Sequence, residues 1–367
     1  MEKLDVMKLW DYLHTIPELG FKEFKTAEYL AGELEKLGYK ITRNVGGTGV
    51  IGEITGTEPG PTVMVRADMD ALPFVIEGKD EVIHACGHDA HCSMVLTAAS
   101  IVSDKIKRGK LLILFQPAEE TLKGALAVID TGLVDDVDIA MGLHIRPIQD
   151  IPNGTMTPAI CHGASTFAQV KIIGKGCHGS RPHLGINVCD AVAAVINAIN
   201  AVKLNPVLSW SCKVTNIKAG GAAPNIIPDK AELIVDCRAQ TNDAMTEMLA
   251  KLDIAVTNAA ATVGAKATIT TPDGVIPAAN LDAELTAEVA ECIKEVVGEN
   301  NLQPNLLNPG GDDFHYYAQR NPKLKAAYFG LGCAAEPGLH DPAMHFNHAM
   351  MPLGVEVLAK MILKKMG

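Results

Sequence analysis

The chain has 367 residues, more than a single hydrophobic core usually serves, so its length predicts two domains. Hydrophobic residues make up 48% of it and aromatic residues 4%, which is typical of a folded globular protein and excludes a disordered one. The net charge of -11 disfavours nucleic acid and anionic membranes as partners, because no basic stripe offsets it, and favours a small molecule.

The N-terminal segment MEKLDVMKLWDYLH is charged and amphipathic, and it lacks the basic start, apolar core and cleavage site of a signal peptide. No apolar run approaches the roughly 20 residues that a membrane-spanning helix needs. The nine cysteines are scattered without the dense spacing of a disulfide-rich secreted scaffold. We therefore expect a cytoplasmic protein whose cysteines are reduced and mostly act as small buried hydrophobes.

The first predicted element is an amphipathic helix over residues 24–37, which ends at Gly38. Strands and helices then alternate along the chain. They are predicted at Gly49–Ile54 and Thr62–Val65 (strands), Ala90–Ser103 (helix), Leu111–Phe115 (strand), Ala125–Asp130 (helix) and Asp138–Gly142 (strand). This alternation predicts an α/β domain with a largely parallel sheet.

Between residues 165 and 275 the order changes to strand, long helix, two strands and helix. The predicted elements are Thr166–Ile173, Ala191–Val202, Ser211–Lys218, Ala231–Asp236 and Met245–Thr262. This order is typical of a separate α+β unit. An apolar strand at Ala326–Gly330 and a terminal helix from Pro352 follow, so we expect residues 276–367 to rejoin residues 1–164 and the middle unit to be an insertion.

Five polar segments surround the predicted strands of the first domain. They are RADMD (66–70), QPAEE (116–120) and GLH (142–144) after predicted strands, HACGHDAH (84–91) at the start of a predicted helix, and GLHDP (338–342) in the loop after the last strand. The carboxyl ends of the strands form the ligand crevice in open parallel sheets. We therefore expect these segments to converge there.

Together the five segments offer carboxylate, imidazole and thiolate groups suited to Zn²⁺, Mn²⁺ or a similar ion. The candidates are Asp68, Asp70, Cys86, His88, Glu119, Glu120, His144 and His340. One site holds so many ligands only if it binds two ions. Any single member has an ordinary explanation, since a lone histidine is usually a satisfied core or surface residue and an aspartate after a strand often caps a helix. Coincidence across five segments is a much weaker explanation.

Glu119 and Glu120 are adjacent in the chain, so their side chains diverge. One carboxylate can then hold a metal while the other faces the bound water, which supplies a Lewis acid and a general base together. Taken alone, the pair is also compatible with a solvated acidic helix start. Considered together with the other four segments, the pair of glutamates favours a hydrolase.

Seven motifs, in order across nearly the whole chain, closely resemble the dinuclear metallopeptidase family that contains the aminoacylases. They are IPELGFKEF, RADMDALP, HACGHDAH, FQPAEE, GLHIRP, GKGCHGSRPH and NIIPD. The resemblance is to the amidohydrolase branch, which includes hippurate, auxin-conjugate and aminobenzoyl-glutamate hydrolases and N-acetyl-diaminopimelate deacetylases. It implies metal-dependent hydrolysis of the amide bond in N-acyl amino acids or related small conjugates. It also implies a homodimer and a mostly parallel-sheet catalytic domain with an inserted α+β lid or dimerisation domain.

The same resemblance implies a role for most residues of the predicted site. The implied ligands of two divalent ions (Mn²⁺, Zn²⁺, Co²⁺ or Ni²⁺) are Cys86, His88, Glu120, His144 and His340. Glu119 is then the general base, and Asp70 the acid that orients a metal ligand. Asp68 falls where the wider family often has a metal-binding histidine, and its role stays open. His84 and His91 are expected to be local hydrogen-bonding residues.

In the predicted insertion, GKGCHGSRPH places His178 in a glycine-rich turn, which suits contact with a ligand better than a place in the core. The resemblance implies that His178 stabilises the tetrahedral oxyanion, from the same chain or across a dimer. It also implies that Asn225 and Arg238 lie near the substrate carboxylate. An ordinary turn residue at Asn225 and a surface charge at Arg238 are equally open.

Two features depart from the family pattern. The segment between RADMDALP and HACGHDAH is shorter than in many members, and GGDDFHYY (310–317) stands where SEDF-type sequences are common. We therefore expect a different acyl pocket with an unchanged ligand set.

Two other functions compete with amide hydrolysis of acyl conjugates. A dipeptidase or carboxypeptidase of the same family would use the same chemistry on peptides. A non-catalytic metal- or metabolite-binding protein would keep the fold alone. Glu119 beside a complete ligand set argues against the second, since binding needs no base.

Overall fold

A computed structural model describes residues 3–367. Within that range the α-helices are α1 (Val6–Leu13), α2 (Phe24–Lys36), α3 (His88–Val102), α4 (Gly124–Ile129), α5 (Val188–Ala201), α6 (Asn242–Thr262), α7 (Ala283–Val297), α8 (His315–Arg320) and α9 (Met351–Met366). The strands are β1 (Lys40–Val45), β2 (Gly49–Thr55), β3 (Glu58–Asp68), β4 (Leu72–Ile76), β5 (Lys79–Ile83), β6 (Arg108–Gln116), β7 (Ile139–Pro147), β8 (Met156–Thr157), β9 (Ile160–His162), β10 (Ala164–Ile173), β11 (Cys177–His178), β12 (Trp210–Ala219), β13 (Ile226–Ile227), β14 (Lys230–Ala239), β15 (Lys266–Thr270), β16 (Leu306–Asn308) and β17 (Lys325–Ala335).

The chain divides into two compact units. The first contains the chain up to Cys161 together with Asn280–Leu307 and Asp312–Gly367. The second contains His162–Ala279 and Asn308–Gly311. The first unit is therefore built from chain segments that come before and after most of the second unit in the sequence.

A seven-stranded sheet in the order β1-β2-β6-β3-β7-β17-β8 forms the centre of the first unit. Its four middle strands, β6, β3, β7 and β17, run parallel. β1, β2 and β8 join the edges in antiparallel pairs. The predicted α/β class with a mostly parallel sheet is confirmed, and the antiparallel edges are features that the sequence pattern did not predict.

Both faces of this sheet are buried, because successive strand residues point to opposite sides. On β3, Val63 and Val65 pack into one apolar cluster with α1, α2, α3, α7 and α9. Met64, between them, packs into the other cluster with α4 and α8. Helix α3 is buried almost all round, so its first residue, His88, enters the interior of the unit.

Three strands of the sheet end later in the chain than the sequence pattern predicts. β3 includes Arg66 and Asp68, β6 ends at Gln116, and β7 includes His144. The expectation that these clusters follow their strands is therefore wrong for Arg66, Asp68, Gln116 and His144. The strands continue because the polar side chains are buried and paired, whereas a hydropathy pattern ends a strand at its first polar residue.

The second unit contains a four-stranded antiparallel sheet in the order β12-β14-β10-β15. Helices α5 and α6 pack on one face of it through Val195, Met248 and Leu252. The predicted order of strand, helix, strand, strand and helix is confirmed, and β15 is an additional short strand. No helix among residues 3–367 is both long and apolar enough to cross a bilayer.

One ion pair joins α1 to the start of α3. Nδ1 of His14, the residue after α1, lies 2.7 Å from Oδ2 of Asp89. The hydrogen bond to Asp89 raises the pKa of His14 above its ordinary value, although partial burial opposes it. A base whose pKa is raised by folding adds stability that is complete below its unfolded pKa and disappears as the pH rises through its folded pKa.

We predict that His14→Gln destabilises the protein more at about pH 5.5 than at about pH 8.5, since only protonated His14 forms the ion pair. Urea denaturation of both proteins at each pH measures the difference. His183→Gln, at an exposed position, is the matched control. Equal losses of unfolding free energy at the two pH values would contradict the ion pair's contribution.

Candidate metal centre

The predicted metal ligands lie together in the first unit. Cys86 and His88 flank the start of α3, Glu120 lies in the turn after β6, His144 is on β7, and His340 is in the loop after β17. Cys86, His88 and His144 have candidate ligand atoms within 4.8 Å of one another, and so do Cys86, Glu120 and His340. Cys86 therefore belongs to two overlapping groups.

Individual distances within the cluster are short. Sγ of Cys86 lies 3.4 Å from Nε2 of His144. Oε1 of Glu120 lies 3.8 Å from Nε2 of His88 and 3.5 Å from Nε2 of His340. The second glutamate is also close, with Oε2 of Glu119 at 3.9 Å from Nε2 of His88.

A glycine sets the spacing of the first two candidate ligands. Gly87, between Cys86 and His88, has φ of 83°, in the left-handed region that favours glycine. A Cβ added at Gly87 would lie 2.3 Å from Cδ1 of Ile145. The tight turn thus brings the thiol and the imidazole to the same interior site, and a larger residue has no room there.

The donor atoms of this cluster fit a divalent metal. Nε2 of His88 and Oε1 of Glu120 are buried and have no hydrogen-bond partner among the described residues. Their separation is too long for a hydrogen bond. Buried polar atoms are almost always paired, and thiol, imidazole and carboxylate groups are the ligands that zinc and similar ions prefer. A metal ion would satisfy both atoms.

The electrostatics of the cluster favour the uncharged form of its acidic groups and of His144 until a cation binds. Burial raises the pKa of Glu120 to about 7 and raises the pKa of the Cys86 thiol well above its ordinary value. Burial, with Asp312 nearby, also raises the pKa of Glu119. Burial lowers the pKa of His144. A bound cation would favour the deprotonated form of the thiol and of the carboxyl groups, so metal binding should release protons.

Asp70 orders the turn that carries both glutamates. Its two oxygens accept hydrogen bonds from the backbone N–H of Glu119 at 3.1 Å and of Glu120 at 2.9 Å. Oδ1 of Asp70 also lies 3.3 Å from Nδ1 of His88. One carboxylate thus orients a candidate ligand and the turn beside it.

Asp68 is engaged by neighbouring side chains. Its oxygens lie 2.7 Å from Nη1 of Arg66 and 2.7 Å from Nδ1 of His91. Burial opposes ionisation, but Arg66 and His88 hold the pKa of Asp68 well below its ordinary value. The other ring nitrogen of His91 accepts the backbone N–H of Ile145 at 3.0 Å. His91 therefore bonds to two segments far from it in the chain.

Arg66 is the centre of a buried polar network that no sequence motif predicts. Its guanidinium contacts Asp68, lies 2.8 Å from Asp313 and 3.5 Å from Asp312, and donates to Oε1 of Gln116 at 3.0 Å. Burial opposes the charged form of Arg66, yet the surrounding carboxylates hold its pKa well above the ordinary value. Two sequence signals mark this network, the arginine of RADMD and the adjacent acid pair in GGDDFHYY, but neither indicates that the two segments meet.

The remaining predicted residues lie in the second unit. His178 is exposed on β11, and its Nδ1 accepts the backbone N–H of Ser180 at 3.1 Å. The carbonyl of Asn225 accepts the N–H of Gly179 at 2.7 Å, so the structure brings this pair of loops together. Arg238 is half-buried on β14, and its Nε lies 2.8 Å from Oδ1 of Asp236.

Comparison with known proteins identifies the family. Residues 64–364 match the peptidase family M20/M25/M40. The chain belongs to this family. A hippurate hydrolase of Campylobacter jejuni is 30% identical, over 97% of this chain and 95% of its own length. A thermostable carboxypeptidase of Saccharolobus solfataricus is 33% identical, over 92% of this chain and 90% of its own.

Solved structures agree with this assignment. The YXEP protein of Bacillus subtilis, described as a dinuclear metal-binding peptidase of the M20 family, superposes with a TM-score of 0.83. It is 25% identical, and the match covers 98% of this chain and 97% of that one. The M20 chain described here is a metal-dependent hydrolase of amide bonds, so the predicted fold class, family and reaction type are confirmed.

We predict that Arg66→Met lowers the unfolding free energy by about 3–5 kcal/mol, because it leaves the buried carboxylates of Asp68 and Asp313 without their cation. Urea denaturation of the metal-free and metal-loaded protein measures the loss. Arg320→Met, at an exposed position on α8, is the control for losing an arginine. A loss below about 1 kcal/mol, the range of an exposed ion pair, would contradict the network's importance.

Proposed function

We propose that the enzyme hydrolyses the amide bond of N-acyl amino acids or related small conjugates with two divalent ions bound. The observation that carries the proposal is the adjacent pair Glu119 and Glu120 at the buried cluster, where one carboxylate can bind metal and the other can move a proton. The similarity to a hippurate hydrolase, an N-acyl amino acid hydrolase by name, supports this substrate class.

The residues proposed to hold the ions are Cys86, His88, Glu120, His144 and His340. Cys86 belongs to both groups of candidate ligands, and its thiolate would be one of the ligands that hold the ions. Bound ions would polarise the scissile carbonyl and lower the pKa of bound water from about 15.7 to roughly 7. Mn²⁺, Zn²⁺, Co²⁺ and Ni²⁺ are the candidates.

Glu119 is the proposed general base. Its carboxylate would take a proton from the attacking water and pass it to the leaving nitrogen, a role that needs a pKa near the working pH. Burial and Asp312 move the pKa of Glu119 in that direction. Asp70 holds the Glu119 backbone in place, and Asp68 supports the site through Arg66 and His91.

A dipeptidase or carboxypeptidase activity is the alternative. The relative named as a thermostable carboxypeptidase favours it and is slightly more similar to this chain than the hippurate hydrolase. Both activities would use the same groups, so the substrate has to distinguish them.

A substrate panel tests the proposed function. N-acetyl and N-benzoyl amino acids are assayed beside dipeptides and longer peptides. Each assay is run with added Mn²⁺, Zn²⁺, Co²⁺ or Ni²⁺. The proposal predicts faster turnover of the acyl amino acids. Cleavage of the peptides alone would establish the alternative.

We predict that Glu119→Gln lowers kcat by about 10² to 10⁴ while metal content stays near wild type, because a base is lost and a ligand is kept. Elemental analysis and steady-state kinetics measure the two quantities. Glu120→Gln is the matched variant at the next residue, and it should lose metal as well as activity. Wild-type kcat in Glu119→Gln would remove this residue from the mechanism.

We also propose a cytoplasmic homodimer paired through residues of about 165–275. His178 would donate a hydrogen bond to the tetrahedral oxyanion, either across the dimer or within one chain, and Asn225 and Arg238 would contact the substrate carboxylate. The exposed ring of His178, in a glycine-flanked loop joined to Asn225, supports a ligand-contacting role.

We predict that His178→Ala lowers kcat by about 10² to 10³ without loss of metal. If His178 acts across the dimer, mixing His178→Ala with Glu119→Gln subunits under exchange conditions should restore activity, since a heterodimer would contain one complete site. Light scattering measures the oligomeric state, and mass spectrometry verifies exchange. If exchange is verified and no activity returns, the role across the dimer is wrong.

A further inference from the structure

A fully buried carboxylate outside the proposed ligand set faces the turn that carries the two glutamates. Glu23, in the IPELGFKEF segment, is 0% exposed. Its Oε1 accepts the backbone N–H of Ala118 at 2.8 Å, and its Oε2 accepts the hydroxyl of Thr48. The residue is thus bonded to the position immediately before Glu119.

Glu23 makes these bonds in place of an ordinary helix cap. It occupies the N-cap position of α2, yet its side chain makes no capping hydrogen bond. Glu18 caps the helix instead, because its side chain accepts the N–H of Lys25 at 2.9 Å and of Thr26 at 3.0 Å. Two glutamates of one motif therefore have separate tasks, and the task of Glu23 lies at the turn.

The turn needs external support, because its backbone is strained. Ala118 has φ of 54° and ψ of 39°, and Leu122 has φ of 59°. A non-glycine residue in this left-handed region is strained and persists only where its surroundings hold it. The surroundings are tight, since a Cβ added at Gly20 would lie 3.0 Å from Cα of Ala118.

Two carboxylates hold three consecutive amides of this turn. Glu23 accepts the N–H of Ala118, and Asp70 accepts those of Glu119 and Glu120. Together they fix the direction of the backbone through the residues whose side chains must diverge. Neither acid needs to reach the substrate to do this.

We propose that Glu23 is a positioning residue, which holds the Ala118 amide so that Glu119 faces the reacting water while Glu120 binds metal. This inference rests on the proposed roles of Glu119 and Glu120. An accepting oxygen is all that the role requires, so a neutral glutamine should perform it by accepting from Ala118 and donating to the Thr48 hydroxyl.

The test compares Glu23→Ala with Glu23→Gln in the full-length enzyme. Glu23→Ala should lower kcat by about 10²-fold with little change in KM, because small displacements of catalytic groups have effects of this size. It should also bind Co²⁺ more weakly and shift the visible Co²⁺ spectrum, whereas Glu23→Gln should restore kcat, Co²⁺ affinity and spectrum. Glu18→Gln, from the same motif, is the matched control and should leave all three at wild-type values.

The Co²⁺ titration separates this inference from the proposed function. If the wild-type enzyme cleaves no acyl amino acid, the spectrum still reports whether Glu23 orders the Glu120 turn. Should Glu23→Ala fail to fold, Thr48→Val, which removes only the hydroxyl partner, should show the same changes to a smaller degree, about 3- to 10-fold in kcat. Wild-type kcat and an unchanged Co²⁺ spectrum in folded Glu23→Ala would overturn the proposal. If Glu23→Ala does not fold, the same result in Thr48→Val would overturn it. A Glu23→Gln variant with kcat as low as that of Glu23→Ala would also overturn it.

Discussion

The site depends on one buried cation, the guanidinium of Arg66. It lies near the carboxyl end of β3 and forms ion pairs with Asp68 on the same strand and with Asp313, two residues before α8. Through Gln116 it also reaches the end of β6. Asp68 in turn binds His91, whose other nitrogen meets the backbone of β7. Three neighbouring strand ends are thereby tied to one charge, and two candidate ligands lie at these ends, Glu120 just after β6 and His144 on β7.

Carboxylates exceed the positive charge available at this edge of the sheet. Arg66 supplies one positive charge to the pair Asp68 and Asp313, and Glu119 lies in a group with Asp312 and Asp313. Burial drives the pKa values of Glu119 and Glu120 upward, which is the behaviour of acids lacking a counterion. Divalent ions would supply that charge and satisfy the unpaired atoms of His88 and Glu120. The fold thus provides one fixed cation for structure and leaves the remaining negative charge for metal.

The sequence predicted what is encoded locally. Periodic apolar residues gave α2, α3 and the elements of the second unit, and clusters of acid, thiol and imidazole groups gave the five ligand segments. It did not predict the partners of those groups, because they depend on strand order. Arg66 and Asp313 are 247 positions apart and meet only in the folded chain. The same applies to Glu23, which no local pattern distinguishes from Glu18.

The central proposal is that four segments supply the ligands of two ions, while Asp68, Asp70 and Arg66 of a fifth segment hold those ligands in place. Anomalous diffraction from crystals of the Zn²⁺- or Mn²⁺-loaded enzyme, collected at the metal absorption edge, tests it most directly. We expect two peaks per chain, with Asp68 still paired to Arg66. The residues in contact with the peaks should be Cys86, His88, Glu120, His144 and His340. A single peak, or one held by Glu119, Asp312 and Asp313, would contradict it.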